Sequence, residues 1–268
     1  MTNLPSVEIV SRRASALRAL HDGPRMLVLL NAWDAASARA FATAGFGAIA
    51  TTSGGVAVAL GYQDHEGAPA GEMLAAAARI IAAVDVPVTV DFESGYKLDP
   101  REIAQRLIAV GAAGLNLEDS DHSLAGKLVE ADWQAERIAS LKAAAKAAGV
   151  DLVLNARVDV FLHRIGGPDV QLAEGLRRAK LYRQAGADCI YPITLNDEGM
   201  LSRFVEAVEV VNINVRPGGP VSLERASGLG LRRVSYATSI FREAMNLVGR
   251  ITGDVKAELE SLRGGKPA

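Results

Sequence analysis

The chain has 268 residues, with 29 Lys plus Arg against 31 Asp plus Glu and a formal net charge of −2. So even a balance gives no basic surface for DNA, RNA or an acidic membrane, and none of these is expected as a partner. A single cysteine, Cys189, excludes an internal disulfide framework and any multi-cysteine zinc site.

No apolar run reaches the roughly 20 residues of a membrane span. The stretch up to Asp22 carries Glu8, Arg12, Arg13 and Arg18 through its apolar positions and lacks the apolar block of a secretion signal. The expectation is a soluble, cytoplasmic protein. With 49% hydrophobic but only 5% aromatic residues, its core must be built of Ala, Val, Leu and Ile, which suits buried parallel strands under alanine-rich helices.

Read in chain order, β-rich runs fall near Met26–Asn31, Gly47–Thr51, Val88–Asp91, Leu115–Glu118, Leu152–Ala156, Cys189–Pro192, Val210–Val215 and Arg233–Tyr236. Amphipathic, alanine-rich segments separate them, among them Gly71–Val84 and Trp133–Ala148. Several of these segments end at a glycine just before the next run, as at Gly45, Gly111, Gly186 and Gly230, where a left-handed residue terminates a helix cheaply. The helix beginning at Pro100 has Asp99 as N-cap, proline at its first position and Glu102 placed to complete a capping box.

Strands alternating with helices imply a parallel sheet, and eight such units imply a closed (β/α)₈ TIM barrel. A doubly wound open sheet is the competitor, but Ala32-Trp33-Asp34-Ala35 after the first strand carries no glycine-rich phosphate loop. The whole of 1–268 reads as one domain. Residues from Thr238 onward form a helical extension longer than a barrel needs, suited to oligomerisation or to packing across the barrel floor.

In such a barrel the active site forms where the strands end. The second strand is followed by Thr51, Thr52, Ser53, Gly54 and Gly55, and the third by Asp91, Glu93 and Gly95. The fourth ends in Glu118 and Asp119, the fifth in Asn155, Arg157 and Asp159, and the seventh carries Asn212 and Asn214. Asp91 and Glu93 share a strand's two-residue side-chain period, and Glu118 ends the neighbouring strand. Three carboxylates gathered there would repel one another unless a cation lay between them, and hard oxygen donors favour Mg²⁺ or Mn²⁺ over Zn²⁺. Arg157 offers a fork to a substrate anion or, equally, to Glu118 or Asp159. The Ser53-Gly54-Gly55 turn exposes backbone amides suited to an anion.

These residues, in order, resemble the isocitrate lyase/phosphoenolpyruvate mutase superfamily. The segments that carry the resemblance are 31–39, 51–57, 60–64, Val88-Thr89-Val90-Asp91-Phe92-Glu93-Ser94-Gly95-Tyr96, Gly114-Leu115-Asn116-Leu117-Glu118-Asp119-Ser120, Asn155-Ala156-Arg157-Val158-Asp159 and 230–235. The resemblance implies a barrel that binds Mg²⁺ through Asp91, Glu93 and Glu118 and cleaves or rearranges a C–C or P–C bond next to a 2-oxo or 2-hydroxy acid. It places Thr52, Ser53 and Gly54 on the substrate's carboxylate or pyruvyl end, with Trp33, Asn155 and Asn214 as further contacts. It puts Asp64 near the reaction centre and Arg157 as a substrate anchor. It also implies a homo-oligomer, dimer or tetramer, that exchanges its last helices.

The chain departs from the family in the loop after the fourth strand. Asp121-His122-Ser123-Leu124-Ala125-Gly126-Lys127 replaces both the lyases' Lys-Lys/Arg-Cys-Gly-His and the mutases' Pro-Lys-x-Asn. The remaining proton donors are His122, Tyr62 and Tyr191, while Cys189 reads as core and His163 as surface or structural. The expected function is a Mg²⁺-dependent lyase or decarboxylase on a small 2-oxo or 2-hydroxy acid. The alternatives are a P–C bond enzyme and a barrel that binds a small acid without turning it over.

Overall fold

The computed structural model describes residues 5–124 and 126–264. Its eight strands are β1 (Leu27–Ala32), β2 (Ile49–Thr51), β3 (Val88–Asp91), β4 (Gly114–Glu118), β5 (Val153–Val158), β6 (Cys189–Pro192), β7 (Asn212–Asn214) and β8 (Arg233–Ser235). The helices are α1 (Val7–Asp22), α2 (Ala35–Thr43), α3 (Ser53–Leu60), α4 (Ala70–Ala82), α5 (Pro100–Val110), α6 (Ala131–Ala147), α7 (Pro168–Gln184), α8 (Glu198–Val208), α9 (Leu223–Gly228) and α10 (Ser239–Gly264).

All ladders are parallel and the order is β6-β5-β4-β3-β2-β1-β8-β7. A bridge between Ile190 and Val211 brings β7 back against β6, so the sheet is a nearly closed (β/α)₈ barrel. All eight expected strands form, most within two residues of their sequence bounds.

Two cores follow from this closure. The large one lies between strands and helices, where Ile80, Ile103, Leu107, Leu115 and Leu154 are fully buried. The small one lies inside the lower barrel, where Leu17 of α1 meets Leu27, Leu29, Ala48, Ala50 and Val153. Small side chains at 48 and 50 keep that interior narrow enough to be filled. Helix α1 thus closes the floor, and ion pairs of its Arg18 with Asp188 and Asp151 fasten it there.

Helix α5 starts as its sequence signals suggest at Asp99 and Pro100, and ends at Gly111 in the left-handed region at φ 89°. The capping box is the exception. Asp99 accepts from the Arg101 amide, while Glu102 turns along the helix to pair with Arg106 at 2.5 Å, four residues on.

The C-terminal extension is the single helix α10. Its start docks on the barrel through buried Phe241, which meets Trp33 edge to face at 5.4 Å. Every residue from Met245 to Leu262 is exposed, so α10 does not pack across the floor of its own barrel.

Candidate active site

The polar residues expected to converge do so at the carboxyl ends of β2 to β5. Asp91, at the end of β3, is half-buried, and its Oδ2 accepts from the Ser53 amide at 3.1 Å and the Ser53 hydroxyl at 2.8 Å. Its Oδ1 accepts from Asn116 Nδ2 at 3.3 Å, one strand over. Ser53 opens α3, whose N-cap Thr52 accepts from the Gly55 amide at 3.3 Å and bonds Thr238 of the α10 approach at 3.0 Å. The first amide of α3 therefore meets an acidic side chain in the mouth.

At Gly54 any larger residue would push the Asp64 carboxylate aside. A Cβ at this position would stand 2.5 Å from Asp64 Oδ2 and 3.2 Å from the Thr238 hydroxyl. Asp64 thus lies over the start of α3.

The other two carboxylates are buried and occupied. Glu93 sits in the left-handed region at φ 47°, accepts from the Glu66 amide at 2.5 Å and is hydrogen-bonded by the Tyr96 hydroxyl. Burial pushes its carboxyl up to about 7; the Tyr96 bond opposes this and the charge of Asp91 adds to it. Glu118 takes Arg157 Nη1 at 2.5 Å on one oxygen and His122 Nε2 at 2.6 Å on the other. Burial pushes the Glu118 carboxyl up, against the charge of Arg157 and the His122 bond.

Asp91, Glu93 and Glu118 share a rim, and the charge of Asp91 reaches both of the others. They do not point at one centre. Among the described residues no three Asp, Glu, His or Cys side chains form a ready-made cation cage. The expected three-carboxylate cage gives way to local partners, because Tyr96 and Glu66 turn Glu93 aside and Arg157 and His122 hold Glu118.

Arg157 is committed to the protein. Besides Glu118 it grips Asp159 with Nε at 2.6 Å and Nη2 at 2.7 Å, a two-pronged pair in a fully buried setting. Of its two sequence readings, the structure shows the ion pairs.

His122 lies over Glu118, on a loop tied at its base by the Ser120–Leu128 bridge and the Asp121 amide to Lys127 carbonyl bond. Burial draws its imidazole down, but the bond and charge of Glu118 outweigh that and leave it raised.

Other expected site residues lie elsewhere. The Tyr62 hydroxyl donates to Glu72 of α4 at 2.8 Å in an exposed position. Replacing Tyr62 with phenylalanine should therefore change turnover by less than about twofold in steady-state assays, since a solvated surface bond contributes little. A loss of a hundredfold would restore it as a proton donor. Trp33 packs its indole on Phe41 and Phe241. Asn155 is fully buried inside the barrel, donating to Asn116 at 2.9 Å, and Asn214 accepts from the Thr194 amide at 3.1 Å. Tyr191, register partner of Arg157 on β6, is buried, and burial raises its hydroxyl. Cys189 is core as expected, its thiol pushed up to about 12 by burial.

Sequence reasoning missed several residues that shape the rim. Glu66 ties the β2 and β3 loops together by accepting from the Ser94 hydroxyl and the Tyr96 amide, each at 2.6 Å. His65, Glu66, Glu93, Tyr96 and Lys97 all have positive φ, a concentration of strained backbone on two neighbouring loops. His163 is drawn against the Ser120 hydroxyl at 2.8 Å, and Ser120 donates to Asp159. No periodicity marks these residues, since loop paths bring them in.

A (β/α)₈ barrel with an acidic rim beside the Ser53-Gly54-Gly55 start of α3 defines the class. Comparison then fixes the family. The phosphoenolpyruvate phosphomutase family profile matches residues 17–256, and the chain belongs to that family, within the isocitrate lyase/phosphoenolpyruvate mutase superfamily.

An uncharacterised protein of Mycobacterium tuberculosis is 33% identical over 216 residues, covering 81% of this chain and 79% of that one. The oxaloacetate decarboxylase of a Bradyrhizobium strain is 28% identical, over 94% of this chain and 86% of its own. A solved structure from Burkholderia cenocepacia, assigned provisionally as a phosphonomutase, has TM-score 0.84 and 37% identity over 90% of this chain and 99% of that one.

Proposed function

We propose that this protein is a Mg²⁺-dependent carbon–carbon lyase or decarboxylase acting on a small 2-oxo or 2-hydroxy carboxylic acid. Relatives named 2-methylisocitrate lyase and oxaloacetate decarboxylase support the class, as does a 2,3-dimethylmalate lyase structure at TM-score 0.80 and 26% identity. The observation that carries it is the half-buried Asp91 carboxylate set directly against the amide-lined start of α3. One side of the mouth suits a cation and the other an anion, which is what a short 2-oxo acid and its metal need together.

The donor set fits Mg²⁺ or Mn²⁺. It is oxygen only, and Mg²⁺ keeps several waters and takes one or two carboxylates plus substrate oxygens, so it does not require an all-protein cage. Asp91 would hold it, with Glu93 and Glu118 supplying negative charge behind. Bound there, the ion would polarise the acid's oxygens and steady the charge that bond cleavage leaves on a pyruvate-like fragment.

The protein's own groups do the rest. Gly54 would present its amide to the substrate carboxylate, beside Ser53, whose amide and hydroxyl hold Asp91, and Thr52, which caps the helix. Asp64, lying over Gly54, borders the reacting end. His122, held against Glu118 through Nε2, would be the proton donor to the carbanion that cleavage leaves.

The test is a panel of oxaloacetate, 2-methylisocitrate and 2,3-dimethylmalate incubated with Mg²⁺ and followed by proton NMR. Release of pyruvate, or of another small oxo acid, is expected from at least one. Tight oxalate binding with no turnover of any acid would leave only a binding barrel. Phosphorus NMR on phosphonopyruvate separates P–C chemistry, which the absent Pro-Lys-x-Asn element argues against.

The exposed α10 belongs to the same proposal. Met245, Val248, Ile251, Val255, Leu259 and Leu262 recur at three- and four-residue steps along it, an apolar stripe suited to a second copy of the chain. A dimer or tetramer that shares these helices would bury it. Ile251→Glu should shift the mass measured by light scattering to that of one chain, and an unchanged mass would remove α10 from the interface.

A further inference from the structure

The largest fully buried side chain in the barrel is a cation. Arg233, on β8, is 0% exposed, yet no carboxylate pairs with it among the described residues. Its Nε and Nη1 find no hydrogen-bond partner, and only Nη2 makes a bond, to Asn116 Oδ1 at 3.2 Å. An unpaired guanidinium in such a place is costly and needs a compensating negative charge.

The route to that charge is visible. Asn116 Nδ2 donates onward to Asp91 Oδ1 at 3.3 Å, and Asn155 Nδ2 also donates to Asn116 Oδ1, at 2.9 Å. Asp91, Asn116 and Asn155 are register partners across β3, β4 and β5, while Arg233 reaches the chain from β8, elsewhere on the barrel wall. Arginine can only donate and an ionised carboxylate can only accept, so the amide between them has a single workable orientation. Its carbonyl must face Arg233 and its NH₂ must face Asp91.

We infer that Asp91 is the counter-ion of Arg233, joined to it through the Asn116 amide, and that Arg233 is a positioning residue for the Asp91 carboxylate. Ser53 fixes Oδ2 of Asp91 from the rim, and Arg233 fixes Oδ1 from within through Asn116. The carboxylate is then held in place before any ligand arrives. This goes beyond the lyase reading and does not require it.

The test is thermal unfolding in EDTA, without substrate. If Asp91 were only a rim acid, Asp91→Asn would relieve repulsion from Glu93 and Glu118 and raise the midpoint. As counter-ion to Arg233, its neutralisation should lower the midpoint by roughly 5 °C. In an Arg233→Met background the same change should cost nothing, whereas in Arg233→Lys, which keeps the charge, the penalty should persist.

A rise on Asp91→Asn in the unmodified chain, or an equal fall in the Met and unmodified backgrounds, overturns the inference. If Arg233→Met fails to fold, Asn116→Leu serves as the second background. Cutting the relay there should shrink the Asp91→Asn penalty, and an undiminished penalty overturns the inference.

Discussion

Replacing Asp91 with alanine is expected to cut kcat/KM for the best acid substrate by about 10³-fold, with the barrel still folded at 25 °C by circular dichroism. Of the three rim carboxylates, Asp91 alone is half-buried, and its neighbours are Ser53 and Asn116 rather than a cation. Glu93 and Glu118 are buried and taken up by Tyr96, Glu66, Arg157 and His122. A divalent ion at this mouth would therefore lose its main protein ligand with Asp91. Such an ion contributes several kcal/mol to the transition state, and about 4 kcal/mol corresponds to three decades in rate.

Glu93→Gln should be milder, on the order of 10- to 100-fold, as for groups that support a metal site from behind. Mn²⁺ titration followed by electron paramagnetic resonance gives an independent readout, in which the alanine variant should bind weakly or not at all. Activity within tenfold of the unmodified protein, or unchanged Mn²⁺ affinity, would remove Asp91 from the metal.

The barrel was legible in the sequence because one strong local signal repeats eight times and a second accompanies several of the repeats. Apolar runs such as Val88–Asp91 and Cys189–Pro192 mark strands, and helix ends such as Gly111 mark the junctions. The rim was legible for a related reason. Parallel strands put every carboxyl end on one face, so Asp91, Glu118 and Arg157 had to meet there.

Side-chain direction was not legible. Nothing in the order Asp91-Phe92-Glu93 says that Glu93 takes a positive φ and turns to Tyr96, because a loop three residues on decides it. Tyr62 lies two residues from Asp64, yet its hydroxyl goes to α4, since Glu72 offers an acceptor on the solvent side. His163 and Glu66 reach the rim along loop paths that leave no periodic trace. Arg233 reads in sequence as an ordinary charged residue at a strand start, and only closure of the barrel buries it.

Arg157→Met is the variant expected to harm stability most. The guanidinium is the shared partner of two buried carboxylates, Asp159 at 0% exposure and Glu118 at 2%. Removing one member of such a cluster leaves charges with no compensation, typically at a cost of about 3–5 kcal/mol, or roughly 10 °C in the midpoint for a chain of this size.

The loss should depend on pH in a set direction. In the intact protein Asp159 is held below the usual carboxylate range: burial pushes it up, but the charge and hydrogen bonds of Arg157 outweigh that. A carboxyl with a lowered folded pKa contributes stability above its unfolded value of about 4, and loses it as the pH falls further. Without Arg157, burial raises Asp159 against only the Ser120 bond and the His163 charge, and it further raises Glu118, so both carboxyls should take up protons more readily folded than unfolded. The variant's deficit should then be largest near pH 8 and shrink toward pH 5, where protonation removes the uncompensated charge. Denaturant unfolding at the two pH values measures this. An equal deficit at both, or one below about 1 kcal/mol, would mean that the Arg157 fork is not what neutralises Asp159 and Glu118, and would return Arg157 to the role of substrate anchor.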